Sequence, residues 1–313
     1  MDRIIFTFPG QSAQTPGMLH TLAEQIPCSG WYGKASETLK ENVLELDTPD
    51  ALKTTRAVQL CNLIAGVACA DWLQKAGVTP DYTAGLSIGA FPAAGISGAL
   101  DFEDAVNLVS LRSVLMQQAW PTGYGLSAIS NIMASSLGRL VDTVNSPTML
   151  VYMANFNAQD QFVIAGADEA MATVMQLAKN QYSAKAERLH VAVPSHCPLL
   201  DEPAETFFRA VSAVQLKRPT TAYLSGSTGR VLWQPERIAE DLAYNMARPV
   251  HWSDTITAAY ERGVRLAIEM PPGSVLTGLC MKVMEQGDTL SIQRHGFNTI
   301  REIALRLKSD QSR

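Results

Sequence analysis

The 313-residue chain has no Cys-x-x-Cys pair, and its five cysteines (Cys28, Cys61, Cys69, Cys197 and Cys280) are odd in number and widely scattered. That spacing supports neither a metal site nor a disulfide framework, and it fits a reducing compartment. Positive charge is not in excess. Against 25 Lys and Arg stand 30 Asp and Glu, a formal charge of −5, which argues against a nucleic-acid binder. Long apolar runs are missing too: the stretch at 60–72 is interrupted by Asn62 and Asp71 and falls short of a membrane span. The opening MDRIIFTFPG meets proline and glycine too early for a secretory signal, so a cytoplasmic protein is expected. No internal repeat or low-complexity segment is present. What remains is ordinary composition, 47% hydrophobic and 18% charged, enough for a sizeable core without covalent staples.

The order of elements carries more. Ile4 to Phe8 is a β-rich run stopped by Pro9-Gly10, which predicts a buried strand feeding a turn. Apolar residues Val58, Leu60, Leu63, Ile64, Val67 and Leu73 predict a helix over 54–76, closed by Gly77. A short strand over 82–86 leads into a helix from Ile88, and Asp101 is expected to cap another that runs through Leu108, Leu111 and Leu115 to about Gln118. Composition shifts near 121–125. Beyond it the pattern reads strand 127–132, helix 135–144, strands 149–155 and 161–165, helix 169–180 and strand 186–193, the β-α-β-β-α-β order of a ferredoxin-like unit. The expected architecture is therefore α/β: a large domain with a mostly parallel sheet (1–124 and 195–313), and a small ferredoxin-like domain (125–194) inserted into it. The tail from Arg301 to Arg313 is expected to be helical and then frayed.

Gly85-Leu86-Ser87-Ile88-Gly89 is a Gly-x-Ser-x-Gly motif between a strand and a helix. A sharp strand-to-helix turn needs small residues on both sides of the serine, and it lifts the hydroxyl clear of the sheet with a backbone N–H beside it. Ser87 is the candidate nucleophile; the plain alternative is a structural turn serine. A serine needs a base. Of His20, His190, His196, His251 and His295, only His196 lies where the inserted unit returns to the large one, held between Pro194 and Pro198. Arg112 sits on an otherwise apolar helix face, between Leu111 and Leu115, where a guanidinium is costly without an anion. Either a ligand carboxylate or a salt bridge to Glu103 or Asp104 would satisfy it. The stripe at 60–72 reads as core packing, and Met116 and Met133 as pocket fillers.

Several further segments occur together in one order: Phe8-Pro9-Gly10-Gln11-Ser12, the Ser87 motif, Arg112 with Met116-Gln117, Asn155-Phe156-Asn157, Val193-Pro194-Ser195-His196-Cys197, Pro249-Val250-His251-Trp252 and the glycine loop 271–278. In this the chain resembles the malonyl-CoA:acyl carrier protein transacylases. The resemblance implies an α/β-hydrolase-like domain with a ferredoxin-like insertion, no bound cofactor, a CoA thioester as substrate and a carrier protein as partner. It makes Ser87 the nucleophile and His196 the base and acid. Gln11 and Ile88 would supply oxyanion N–H groups, Arg112 would hold the malonyl carboxylate with Met116 nearby, and a main-chain carbonyl at Asn245 would orient the histidine. Two positions depart from the family pattern, Leu86 for its histidine and Ala90 for its acidic residue. There the segment 85–94 looks like the malonyltransferase subunit of biotin-independent malonate decarboxylase. That likeness implies a dedicated carrier and the other decarboxylase subunits as partners, rather than the carrier of fatty-acid synthesis. The rival readings are a serine esterase or thioesterase using His251 or His295, and a non-catalytic docking subunit.

Overall fold

The computed structural model describes residues 2–120 and 122–310; Pro121 in the expected composition shift and the end of the expected tail at 311–313 lie outside the described residues. Among the described residues ten strands appear in chain order: β1 (Arg3–Phe8), β2 (Tyr82–Gly85), β3 (Tyr124–Ser130), β4 (Val151–Ala158), β5 (Gln161–Ala167), β6 (Lys185–Arg188), β7 (Ala222–Leu224), β8 (Val231–Leu232), β9 (Val264–Glu269) and β10 (Asp288–Ser291). Six form one sheet in the order β10-β9-β1-β2-β7-β8. All its pairings are parallel except that of β8 at one edge. From Ile4 to Phe8 every residue of β1 is buried, Thr7 included, as befits a strand covered on both faces.

The long helix Thr55–Lys75 is buried on nearly every side. Thr54 caps its start by accepting from the Ala57 N–H. Gly77, at φ +90°, closes it with Gly77 N–H to the Gln74 carbonyl and Val78 N–H to the Leu73 carbonyl. The helix Phe102–Ala119 packs beside it. Two details of that second helix differ from the sequence reading. The Asp101 side chain makes no cap bond and pairs instead with Lys217 at 2.7 Å, while Leu111 is 39% exposed and lies off the core face.

The remaining four strands form an antiparallel sheet, β4-β5-β3-β6. Helices Ala134–Val144 and Asp168–Tyr182 pack on it around Ile129, Leu137, Phe162, Ile164, Met171 and Val174. This is the ferredoxin-like β-α-β-β-α-β order inserted in an α/β-hydrolase-like domain. Its last strand stops at Arg188 rather than continuing to 193. The Arg188 guanidinium explains the stop, because it donates to the carbonyls of Tyr124, Leu126, Leu189 and Val191 and takes acceptors that a sheet partner would need.

The two sheets are joined by main-chain bonds near the crossing. Strand β4, at the edge of its sheet, slips register on both sides of Asn155-Phe156, and there its outer edge bonds the large domain while the two residues stay paired with β5. Phe156 N–H donates to the Val250 carbonyl at 2.7 Å and Val250 N–H to the Ala154 carbonyl at 2.9 Å. The Phe156 ring stacks on His251, with centroids 4.9 Å apart. Among the described residues, no helix is long and apolar enough to cross a membrane.

Candidate active site

The site forms at the carboxyl ends of β1 and β2, which pair with Phe8 opposite Gly85. After β2 the chain makes a tight turn over Ser87–Gly89 and enters the helix Ala90–Ile96. Ser87 takes φ +57°, a conformation that non-glycine residues hold only when their surroundings impose it. The flanking glycines are imposed by contact. A Cβ on Gly85 would lie 1.9 Å from the Gly89 carbonyl carbon, and one on Gly89 would lie 2.1 Å from the Phe8 carbonyl oxygen. Both obstacles are backbone and cannot turn aside. Gly89→Ala should therefore push the elbow off β1, costing about 1–3 kcal/mol of stability and most of the activity. Urea unfolding and kcat/KM measured side by side would check this; a variant of wild-type stability and rate would contradict the contact.

His196 reaches Ser87 from the segment that follows the small domain. Its backbone, at φ +66°, is held by its N–H to the Met246 carbonyl at 2.6 Å. The ring is fixed at both ends. Nδ1–H donates to the Asn245 carbonyl at 2.6 Å, with the Arg248 carbonyl at 3.3 Å. Since both neighbours of Nδ1 are acceptors, the proton resides there and Nε2 keeps its lone pair. Ser87 Oγ stands 2.9 Å from that Nε2 and donates to it. Burial, and next the Arg112 charge, lower the His196 pKa to about 4 against the opposing pull of the two carbonyls. At neutral pH the imidazole is uncharged and able to accept a proton.

Arg112 is fully buried, and its partners are neutral: Nη1 donates to Gln59 Oε1 at 2.7 Å, and Nη2 to Asn245 Oδ1 at 3.0 Å and Ser87 Oγ at 3.4 Å. Its Nε has no partner. Burial lowers its pKa to about 9, still high enough to keep it charged at neutral pH. The salt bridge considered for it, to Glu103 or Asp104, does not form: the guanidinium bonds Gln59, Asn245 and Ser87, and Glu103 faces Lys34. Asn245 serves three contacts, since its Nδ2 also donates to the Ser87 carbonyl at 3.3 Å. Gln59, which sequence reasoning missed, holds Arg112 from the long helix; its Nε2 faces Gln11 Oε1 at 3.5 Å and Met116 Sδ at 3.7 Å. Met116 is thus buried against the Gln59 amide and is not among the residues that line the cleft.

The cleft holds about 230 Å³ between the two sheets, lined by Gln11, Ser87, His196, Asn155 and Asn157 among apolar walls of Leu86, Leu126, Val163, Val191, Leu276 and Leu279. Gly10 presses on the elbow, since a Cβ there would lie 2.9 Å from Leu86 Cδ2 and 3.3 Å from the Leu86 carbonyl oxygen; Gln11, the next residue, lines the cleft beside Ser87, while Ile88 is buried under the turn. A wider groove of about 750 Å³ adjoins it, sharing Gln11, Leu189 and Val191 and edged by Lys53, Lys179, Arg188 and His190. His20, His251 and His295 are engaged elsewhere, with Asp47, with Phe156 and Asp254, and with Ser291. Among the described residues no group of three or more His, Cys, Asp or Glu could hold a metal ion.

An α/β fold with this inserted unit thus sets a serine hydroxyl beside an imidazole at a strand-to-helix elbow, an arrangement that acyl-transferring enzymes can use. The chain belongs to the acyl transferase family, whose domain matches residues 5–300, and within it to the malonyl CoA-acyl carrier protein transacylases. It is 33% identical to the malonyl CoA-acyl carrier protein transacylase of Bacillus subtilis strain 168, over 93% of this chain and 94% of that one. The crystal structure of FabD from Acinetobacter baumannii superposes with a TM-score of 0.91 at 31% identity, covering 98% of this chain and 99% of that one. A malonyl-transacylase in complex with its type II PKS acyl-carrier protein gives a TM-score of 0.86 at 32% identity, over 93% of this chain and 94% of that one.

Proposed function

We propose that the chain moves a malonyl group from a coenzyme A thioester to the phosphopantetheine-type thiol of an acyl carrier protein, through an ester on Ser87. The observation that carries this is one hydroxyl shared by a base and a cation: Ser87 Oγ lies 2.9 Å from His196 Nε2 and 3.4 Å from Arg112 Nη2. Nε2 takes the Ser87 proton as Oγ attacks the thioester carbonyl. The oxyanion would be received by the Gln11 and Ile88 backbone N–H groups at the start of the elbow helix. Collapse of the tetrahedral intermediate expels the CoA thiolate, which leaves with the proton from the imidazolium. The carrier thiol then gives its proton to His196 and attacks the ester, and the imidazolium returns that proton to Ser87 Oγ as the ester bond breaks. Arg112 would meanwhile pair with the distal carboxylate of malonyl by a two-pronged contact. No resident cofactor is needed, and a cytoplasmic location agrees with the cysteine usage.

Wild-type protein mixed with radiolabelled malonyl-CoA and quenched rapidly should carry label in the peptide that contains Ser87, and Ser87→Ala should carry none. A wild-type sample free of label would end this reading. An esterase is the weaker reading, because a buried guanidinium has no task in a lipase-like pocket; net hydrolysis unaffected by an acceptor thiol would favour it.

The relatives support a general malonyl CoA-acyl carrier protein transacylase better than a malonate decarboxylase subunit. For the latter there is one local observation: Leu86, which lines the cleft, and Ala90 stand where the family pattern has histidine and an acid. Transfer rates to a fatty-acid carrier and to a carrier bearing a dephospho-CoA-derived arm, measured in parallel, would separate the two.

A further inference from the structure

Asn62 does no work in the steps above, yet it reaches the loop that follows β1. It is 3% exposed on the long helix Thr55–Lys75, and its Nδ2 donates to the Gly10 carbonyl at 2.9 Å. Its Oδ1 is buried without a hydrogen-bond partner. An unpaired buried oxygen costs free energy that an apolar side chain of similar size would not, so the fold keeps this amide for its donor. Gln59 stands three residues earlier on the same face of the helix, and its Nε2 faces Gln11 Oε1 at 3.5 Å. One helix face therefore holds two successive residues of the loop, Gly10 by its carbonyl and Gln11 by its side chain.

The Gly10 carbonyl and the Gln11 N–H belong to one peptide plane, and across a trans peptide they point in opposite directions. Fixing the oxygen toward the helix turns the N–H away from it. Among the described residues no backbone carbonyl accepts from that N–H. Gly10 packs on Leu86 of the elbow, and Gln11 lines the cleft with Ser87 and His196. From this geometry we infer that Asn62 is a positioning residue for the reaction: by holding the Gly10 carbonyl it aims the Gln11 N–H at the oxyanion formed over Ser87. The inference rests on the malonyl-transfer reading and deepens it by naming what fixes one of the oxyanion donors. A loop amide free to swing must be ordered as the charge develops, whereas one already aimed costs no reorganisation. The same helix face steadies Arg112 through Gln59, so the oxyanion side and the carboxylate side share one support.

The test follows the polarisation of the ester carbonyl as well as the rate. Wild-type protein and Asn62→Leu, which is close in volume and has no donor, are acylated with malonyl-CoA carrying heavy carbon at the thioester carbonyl. Without an acceptor thiol the Ser87 ester accumulates, and its stretching band is isolated by infrared difference against unlabelled ester. A donor aimed at that oxygen polarises the bond and lowers its frequency, so the band should lie higher in Asn62→Leu than in wild type. Rapid-quench acylation should slow about tenfold, less than the loss of a whole oxyanion donor, at an unchanged half-saturating concentration of malonyl-CoA. A band at or below the wild-type frequency would overturn the inference whatever happens to rate or melting temperature, because a merely structural asparagine leaves the ester carbonyl as it was. Should Asn62→Leu lose its far-UV circular dichroism or form no ester, Asn62→Ala replaces it under the same criterion. Wild-type protein that malonyl-CoA does not label would overturn the malonyl-transfer reading itself; labelled wild type with an unshifted variant overturns the role of Asn62 alone.

Discussion

His196→Ala should lower kcat/KM for malonyl transfer by about 10⁴-fold, because no other imidazole reaches Ser87. Asn245 and Arg248 carbonyls hold the ring in the tautomer that leaves Nε2 bare, so the loss is of the base itself rather than of its orientation. The wild-type pH profile supplies the companion result. With the His196 pKa lowered to about 4, the imidazole stays neutral well below the usual histidine range. Activity as kcat/KM should thus persist on acidification past pH 6.5 and fall only as His196 takes up a proton near pH 4. Part of that lowering comes from the Arg112 charge. A malonyl carboxylate paired with Arg112 cancels some of it, so the acid limb of kcat should lie at higher pH than that of kcat/KM. Coincident limbs near 6.5 in both parameters would show that the imidazole is not buried beside a cation.

Arg112→Ala is expected to lower malonyl transfer by about 10²–10³-fold, the scale on which a buried charged partner is lost, while acetyl transfer is kept or improved. The asymmetry follows from chemistry. Acetyl has no distal carboxylate, and in its presence the guanidinium only desolvates a charge. Arg112→Lys should recover little, since an ammonium cannot span Gln59, Asn245 and a carboxylate as the planar fork does. The lowered guanidinium pKa adds an alkaline limb, with malonyl binding weakening as pH rises through about 9. Rates with malonyl-CoA and acetyl-CoA, taken on both variants, decide the matter. An unchanged preference for malonyl would remove Arg112 from the acyl pocket.

Much of this site is visible in the chain because its constraints are local. A tight elbow demands Gly85 and Gly89 around the serine, and no other segment meets that demand in the same place between strand and helix. The inserted unit is equally legible, since its six elements alternate in period and are each bounded by turn residues. Gln59 is not, because an amide inside a 21-residue, largely apolar helix that also carries Asn62 gives no local sign of a partner on another helix. The end of the insertion misleads for a related reason. Leu189 to Val193 has the side chains of a strand, but the carbonyls there go to Arg188, and nothing in the local pattern announces a side chain that competes for them. Leu111 shows the opposite error, an apolar residue that reads as core and lies toward solvent.

Asn245 touches the other three residues at once, through its carbonyl to His196, its Oδ1 to Arg112 and its Nδ2 to the Ser87 backbone. In the proposed mechanism, choice of acyl group and speed of chemistry are thereby mounted on one post. Retuning the pocket at position 112 will shift the post, and losses measured for pairs of these residues will not sum. Any attempt to breed a new substrate preference here must carry Asn245 along as a variable in its own right.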